Sequence, residues 1–206
     1  MSEVICLNHP LVEDLLGKLR DRETGKESYR VLCDRISLAL ALEASRTLPL
    51  VEHSIETPLE ATEVKALYAP VVVVPILRAG LGMLSSFLKL FPDSSVGYIG
   101  LEREKSTARA CEYYCKLPVM EGSWTFVIDP MLASGGSACA ALSVLKDKGV
   151  ARLILVSILA SPEGVKTVQA EHPDVEIVTA AVDRGLDENS YIRPGLGDFG
   201  DRLFGT

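Results

Sequence analysis

The sequence predicts an α/β protein with a mostly parallel sheet flanked by helices, an N-terminal helical cover and a C-terminal glycine-rich loop. Two observations carry this prediction. Short runs of β-branched and other apolar residues recur along the chain, and such runs are typical of parallel strands buried on both faces. Segments with helical spacing lie between them, as expected when helices connect parallel strands. The chain has 206 residues, which suits one domain, so we expect a single domain over residues 1–206.

The helical cover is predicted from the first quarter of the chain. Apolar residues at helical spacing indicate one helix over residues 11–19 and a second from Ser28 to about Leu48. The apolar faces of these helices carry Leu11, Val12, Leu15, Leu16 and Leu19 in the first, and Tyr29, Leu32, Ile36 and Leu40 in the second.

Strands and helices then alternate. Apolar runs predict strands at residues 71–76, 96–101, 124–128, 153–159 and 175–182. Helices are predicted at 79–90 and 136–148, and a third begins after Ser161, an N-cap followed by Pro162 at the first helical position. Parallel sheets of this kind bind ligands beyond the carboxyl ends of their strands, so chemistry is expected at the residues that follow each strand.

Composition excludes several classes of protein. The 28 acidic and 21 basic residues give a net charge of −7, which disfavours a coat for nucleic acid or for an anionic membrane, although a local basic site remains compatible. Five scattered cysteines predict no disulfide framework and favour a reducing cytosol. The Cys111/Cys115 pair has no second pair nearby to complete a structural zinc site. The N-terminus does not resemble a signal peptide and no apolar stretch is long enough to span a membrane, so we expect a cytoplasmic protein.

The strand predicted at 124–128 leads into a loop of small residues, Asp129 to Ser137, and then into a helix. Backbone N–H groups, hydroxyls and a helix N-terminus together form a cradle for a phosphate, and Asp129 could accept hydrogen bonds from ribose hydroxyls. A tight turn capped by Asp129 is the alternative. The sequence lacks a Walker motif, and the Gly80-Leu81-Gly82 turn lacks the third glycine of a dinucleotide fingerprint.

Cations follow two other strands. Arg78 follows the strand at 71–76 among small residues, where it could bind a pyrophosphate or form a surface salt bridge. Residues 102–109 carry three cations and read as a mobile loop or as a solvated hairpin tip. The histidines at 9, 53 and 172 are too dispersed to indicate a catalytic dyad, so they read as structural or surface residues.

The segment from Asp183 onward is rich in glycine and is expected to be neither regular helix nor strand. Glycine-rich backbone can fold around a flat ligand and present N–H and C=O groups to its edge. A disordered tail is the alternative, and the interleaved apolar residues, such as Ile192 and Phe199, argue against it.

Three long motifs, VVVVPILRAGLGM, VIDPMLASGGSA and YIRPGLGDFGDRLFGT, resemble those of the uracil phosphoribosyltransferases, a type I phosphoribosyltransferase family. The shorter segments NHPLV, IETPL, YYCKLP and SPEGV are similar to the family as well, so the resemblance covers essentially the whole chain. It implies transfer of phosphoribose from 5-phospho-α-D-ribosyl 1-pyrophosphate (PRPP) to N1 of uracil, which yields UMP and pyrophosphate in pyrimidine salvage.

The resemblance also implies roles for individual residues. Arg78, Arg103 and Asp129 would act in catalysis by electrostatics and positioning, without a covalent nucleophile. PRPP would contact Arg78, Arg103, Asp129, Pro130, Met131, Leu132, Ala133, Ser134, Gly135, Gly136, Ser137 and Asp198. Uracil would contact Ile192, Gly197, Asp198 and Phe199. Mg²⁺ is the expected cofactor, held by PRPP and water rather than by direct protein ligands.

Further implications concern partners and differences from the family. The resemblance implies a homodimer or higher homo-oligomer, and GTP, which activates some relatives, is a candidate effector. The sequence departs from the family pattern at Glu102, where a tyrosine is expected, at Arg193, where an apolar residue is expected, and at Phe199, where alanine is common. The alternative function is a non-catalytic or RNA-binding regulator on a phosphoribosyltransferase fold, which a basic surface stripe would support.

Overall fold

The computed structural model describes residues 4–103 and 110–206, with the side chains of residues 102, 103 and 110–112 outside that description. The strands are β1 (Val4–Cys6), β2 (Leu50–Glu56), β3 (Ala61–Leu67), β4 (Val71–Leu77), β5 (Ser95–Val96), β6 (Tyr98–Arg103), β7 (Ala110–Lys116), β8 (Trp124–Ile128), β9 (Met131–Leu132), β10 (Arg152–Ala160), β11 (Glu176–Val182), β12 (Gly185–Leu186) and β13 (Ile192–Arg193). The helices are α1 (Pro10–Arg20), α2 (Lys26–Ala44), α3 (Leu81–Leu90), α4 (Gly136–Asp147), α5 (Pro162–Glu171) and α6 (Phe199–Phe204).

The main sheet has the strand order β1-β11-β10-β8-β4-β6-β7, with β5 beside β4 and β9 beside β10. The pairs along this sheet are parallel except for β6 with β7, which is antiparallel. Two hairpins, β2–β3 and β12–β13, form separate two-stranded sheets. The predicted fold class, an α/β protein with a mostly parallel sheet, is therefore confirmed.

Helices bury both faces of the sheet. Along β10, Ile154 and Val156 belong to the apolar cluster that contains α1, α2 and α3, whereas Leu153 and Leu155 belong to the cluster that contains α4 and α5. Because successive side chains of a strand point to opposite faces, a strand in this position is mostly apolar, and Ser157 is a buried polar exception in β10. This burial explains the continuous apolar runs in the sequence. The predicted face of α2 is buried as expected, at Tyr29, Leu32, Ile36 and Leu40.

The structure corrects several details of the predicted elements. The second helix ends at Ala44 rather than near Leu48, and a 3₁₀ turn follows it. Leu11, expected on the buried face of α1, is exposed. The strand expected at 96–101 is two strands, because Gly97 leaves the ladder and donates its N–H to the carbonyl of Val73 at 3.0 Å.

The β2–β3 hairpin has no counterpart in the predicted elements. Every residue of β2 is exposed, so the alternation of buried and exposed side chains that marks a strand is missing there. Within the described ranges, the structure contains no helix that is long and apolar enough to cross a lipid bilayer.

Candidate active site

Three strands of the sheet, β4, β6 and β8, end at one edge, and predicted site residues lie at their ends. Pro75 in β4 lies opposite Ile128 in β8, and Leu77 lies opposite Gly100 in β6. Arg78 and Asp129 directly follow their strands, so both leave the sheet at this edge. Arg103 ends β6 on the same side, but its side chain and the whole of residues 104–109, which include most of the predicted loop, lie outside the described part of the structure.

Close backbone packing fixes the turn after β4. A Cβ atom at Gly80 would lie 2.5 Å from the carbonyl oxygen of Ile128, so only glycine allows β4 and β8 to approach in this way. Gly82 packs closely on the other side, where a Cβ would lie 2.6 Å from the end of the Leu203 side chain in α6. The exposed Arg78 guanidinium lies 5.9 Å from the ring centroid of Phe204, also in α6. The first and third motifs are therefore in contact.

The loop of residues 129–137, the predicted phosphate cradle, encloses a concave surface. Residues 129 and 131–138 line a shallow concavity of about 40 Å³, and α4 begins at its end, at Gly136. Gly135 precedes this helix with φ of +86°, a left-handed conformation that favours glycine. The N-terminus of a twelve-residue helix thus faces the loop, and its free N–H groups suit an anion.

The start of α5 supports this loop from behind. The Ser161 hydroxyl donates to the carbonyl of Ala133 at 2.5 Å, while the same oxygen accepts from the N–H of Gly164 at 2.9 Å. A Cβ at Gly164 would collide with the carbonyl oxygen of Ala133. The predicted N-cap and Pro162 at the first helical position are confirmed, and they also hold the loop in shape.

Asp129 is a half-buried carboxyl group at the tip of β8. Its polar contact among the described residues is a weak one, in which the N–H of Met131 donates to Oδ1 at 3.4 Å. Burial raises the pKa of Asp129 to about 7, and the Met131 hydrogen bond offsets only part of this rise. A carboxylate with free lone pairs in this position can accept hydrogen bonds from hydroxyl groups of a ligand.

A second concavity of about 260 Å³ adjoins the cradle. Its lining combines Met131 and Ala133 of the loop with residues 189–192 and 197–199 of the C-terminal segment. This volume lies below the roughly 300–1,000 Å³ of pockets for drug-sized ligands, so it suits a small heterocycle. The four residues predicted to contact uracil, Ile192, Gly197, Asp198 and Phe199, lie together in this lining, and Asn189, Ser190 and Tyr191, which were not predicted, lie beside them. Their position directly before Ile192 was the only signal for them in the sequence.

The C-terminal segment is more regular than expected. Besides the short β12–β13 hairpin it contains α6, which Asp198 caps by accepting from the N–H of Asp201 at 2.9 Å. Phe199 is buried, with its ring centroid 5.5 Å from that of Tyr29 in α2. Arg193 is exposed, and its Nε donates to Asp187 at 2.7 Å. Phe199 therefore packs against the helical cover as well as lining the pocket, and Arg193 contacts Asp187.

An ion pair that the sequence does not reveal ties this segment to α1. Arg20 donates to both carboxylate oxygens of Asp183, at 2.7 and 2.5 Å, and to the carbonyl of Gly195 at 2.8 Å. Asp183 in turn accepts from the N–H of Gly195 at 2.9 Å. The side chain of Asp183 is only 6% exposed, so this pair is shielded from water. The ion pair thus holds both the N–H and the carbonyl of Gly195, which lies two residues before Gly197 of the pocket.

Two further arginines fasten α6 to the helical cover. Arg202 donates to the carbonyls of Leu19 and Leu196, each at 2.8 Å, and its guanidinium lies 4.4 Å from the ring centroid of Tyr29. Arg30 donates from Nε to the carbonyl of Leu203 at 3.0 Å. The helical cover is therefore part of the support of the site.

The fold is shared with solved phosphoribosyltransferases. A hypoxanthine-guanine phosphoribosyltransferase from Bacillus anthracis superposes with a TM-score of 0.53 at 11% identity, covering 77% of this chain and 80% of that one. A purine phosphoribosyltransferase from Pyrococcus horikoshii gives a TM-score of 0.50 at 14% identity, with coverage of 71% and 81%. The architecture is that of the type I phosphoribosyltransferases, as the resemblance implied.

Sequence comparisons identify the family within this class. The family model described as uracil phosphoribosyltransferase matches residues 6–206. Relatives with that name are 49% identical in Alkaliphilus metalliredigens and in Listeria innocua, each over 208 aligned residues and the whole of both chains. The solved AQ2163 protein from Aquifex aeolicus is 34% identical, covers 98% of each chain and gives a TM-score of 0.93. The chain belongs to the uracil phosphoribosyltransferase family.

Proposed function

We propose that this protein, acting as one domain over residues 1–206, transfers phosphoribose from PRPP to N1 of uracil and releases UMP and pyrophosphate, a reaction of pyrimidine salvage. The observation that carries the proposal is the shared wall of the two concavities. Met131 and Ala133 line both the anion cradle and the pocket for a small heterocycle. A ribose 5-phosphate in the cradle would thus present its C1 toward a base in the adjoining pocket.

The position of each residue in the site suggests its role in this reaction. The cradle of residues 130–137 would hold the 5-phosphate, and the Asp129 carboxylate would accept from ribose hydroxyls. Arg78, at the same edge, would bind the pyrophosphate and neutralise charge as it departs, and Arg103 is proposed for the same task. Uracil would lie in the pocket of Ile192, Gly197, Asp198 and Phe199. Departure of pyrophosphate leaves an oxocarbenium-like C1. The protein therefore needs no nucleophilic side chain, since it positions N1 of uracil at that carbon.

The donor set fits Mg²⁺. Asp129 lies in the cradle and Asp198 lines the adjoining pocket, and hard oxygen ligands are those that Mg²⁺ prefers. We propose that the two carboxylates face Mg²⁺ through water while PRPP oxygens bind it directly. When bound, Mg²⁺ supplies positive charge that stabilises the leaving pyrophosphate.

We also propose that the protein is a homo-oligomer, with a second copy covering its exposed apolar surfaces. The β2–β3 hairpin exposes apolar residues and carries four glutamates against one lysine. A groove of about 590 Å³ along α1 and α2 exposes Leu38 and Leu42 beside Arg35 and Arg46. Glu43 lines the same groove and pairs with Arg46, so the complementarity to the acidic apolar arm comes from the apolar side chains and Arg35. Leu42→Asp should shift the mass measured by light scattering toward the monomer; an unchanged mass would contradict this.

Two smaller proposals complete the function. Cys6, Cys33 and Cys139 are free thiols in the described part of the structure, which supports a reducing, cytoplasmic location. GTP remains a candidate effector on the resemblance alone, and initial rates with and without GTP test it.

The assay for the proposed function uses purified protein, PRPP, Mg²⁺ and uracil. We expect UMP and pyrophosphate in equal amounts, and no nucleotide from adenine or hypoxanthine. Arg78→Ala should lower kcat strongly without unfolding the protein, because the side chain is exposed. Product with another base but none with uracil would contradict the substrate assignment, and an unchanged rate would remove Arg78 from the proposed role.

A further inference from the structure

A cluster of metal-ligating side chains lies between α4 and the end of α5. The Sγ of Cys139, a carboxylate oxygen of Glu171 and a ring nitrogen of His172 lie within 4.8 Å of one another. Cys139 is 4% exposed and His172 is 5% exposed, while Glu171 faces solvent. These residues have no part in the proposed transfer reaction, and we propose that they bind a Zn²⁺-like divalent cation.

The hydrogen bonds of His172 prepare it as a ligand. Its Nε2 lies 3.2 Å from the carbonyl oxygen of Cys139 and 3.5 Å from the hydroxyl oxygen of Ser143. Because a carbonyl oxygen can only accept, the hydrogen bond to Cys139 is made by the tautomer with its proton on Nε2. The same contact, an imidazole N–H donated to a backbone carbonyl, is typical of histidines that bind metals through their other nitrogen. That other nitrogen, Nδ1, is buried and has no hydrogen-bond partner among the described residues. A buried lone pair without a donor is costly, and a cation would satisfy it.

The charges of the cluster match a divalent ion. The Cys139 thiol is buried beside the Glu171 carboxylate. On binding, the thiol loses one proton to solvent and forms a sulfur–metal bond, and thiolate and carboxylate together carry two negative charges. Neutral imidazole completes three protein ligands, and water can enter the fourth position from the exposed Glu171 side.

Ligand chemistry separates this site from the one proposed for Mg²⁺. Thiolate and imidazole select Zn²⁺ and Co²⁺, whereas Mg²⁺ prefers oxygen ligands. The position gives the ion a structural consequence. Cys139 lies in the first turn of α4, and its N–H donates to the carbonyl of Gly135 in the phosphate cradle at 2.8 Å. An ion bound here would fasten that turn to the C-terminal end of α5.

Titration of the metal-free, full-length protein with Co²⁺ tests the site directly. We expect one equivalent to bind with visible bands of tetrahedral cobalt and a near-ultraviolet thiolate-to-cobalt band, and Zn²⁺ to displace it. Cys139→Ala should abolish the near-ultraviolet band, and His172→Gln should weaken binding by at least about tenfold. Because the cysteine and histidine are buried, Glu171→Gln serves as a variant at an exposed position and should also weaken binding.

Matched controls come from the same residue types elsewhere. Cys6→Ser and His53→Gln change exposed residues and should leave affinity and spectra unchanged. The proposal is overturned if the unmodified protein shows no thiolate band with Co²⁺. It is equally overturned if Cys139→Ala and Glu171→Gln both bind the ion as tightly as the unmodified protein.

Discussion

The ion pair between Arg20 and Asp183 offers a quantitative test of how the base pocket is held. Arg20→Met removes three hydrogen bonds, two to the carboxylate and one to the Gly195 carbonyl, and keeps an apolar stem of similar length. Asp183 would then be a buried carboxylate with a single remaining donor, the N–H of Gly195. The change therefore leaves an uncompensated charge next to the pocket.

The expected cost follows from the burial of the pair. Removing one partner of a buried ion pair costs about 3–5 kcal/mol, and the 23% exposure of Arg20 places this pair near the lower value. About 3 kcal/mol corresponds to a fall in melting temperature of roughly 6–12 °C for a chain of this size. We also expect the KM for uracil to rise more than the KM for PRPP, because Gly195 belongs to the base side of the site.

Thermal unfolding and initial-rate kinetics measure the two effects. The Lys18→Ala change in α1 breaks an exposed ion pair with Asp14, worth only about 0.3–0.5 kcal/mol, and serves as the matched control. Adding Asp183→Asn to Arg20→Met should recover part of the lost stability, since asparagine removes the buried charge and can still accept from Gly195. Equal losses in Arg20→Met and Lys18→Ala, or an unaltered KM for uracil, would refute the reasoning.

Three further predictions address the other supports of the site. Because folding raises the pKa of Asp129 to about 7, the folded protein without ligands binds more protons than the unfolded chain, so its stability should fall as pH rises from about 4 to 7. Asp129→Asn should flatten that slope in urea titrations, and an unchanged slope would contradict the shift. Gly164→Ala should cost about 1–3 kcal/mol and raise the KM for PRPP because its Cβ meets the Ala133 carbonyl, whereas Gly17→Ala, in open space on α1, should be neutral or stabilising. Phe199→Ala should destabilise by about 3–5 kcal/mol through lost packing against Tyr29, and a loss below 1 kcal/mol would mean that the ring is not a core residue.

Local patterns in the sequence predicted the features that depend on neighbouring residues. The β4, β8 and β10 runs are apolar because both of their faces are buried, and the Ser161-Pro162 start of α5 is a local capping signal. The concave loop of residues 129–137 was predictable for the same reason, since its small residues and the helix after it are contiguous.

The features that sequence reasoning missed depend on distant contacts or on surfaces without a pattern. Arg20 reads as a solvated residue at the end of an amphipathic helix, and its partner Asp183 lies 163 residues further along the chain. Similarly, α6 has only six residues and is stabilised by its Asp198 cap and its packing rather than by helical periodicity. Nearly every residue of the β2–β3 hairpin is exposed, so its sequence lacks the alternation of apolar and polar residues that marks a half-buried strand.

The arginine contacts between the helical cover and the C-terminal segment also bear on synthesis. Their partners are separated by 163 to 183 residues, so almost the whole chain must be made before these hydrogen bonds can form. A nascent chain carries the complete cradle once α5 has left the ribosome. The pocket beside it cannot form until residues 189–199 have been synthesised as well. We therefore expect ribosome-bound chains stalled before Asp183 to lack a site for uracil even where the sheet has already folded.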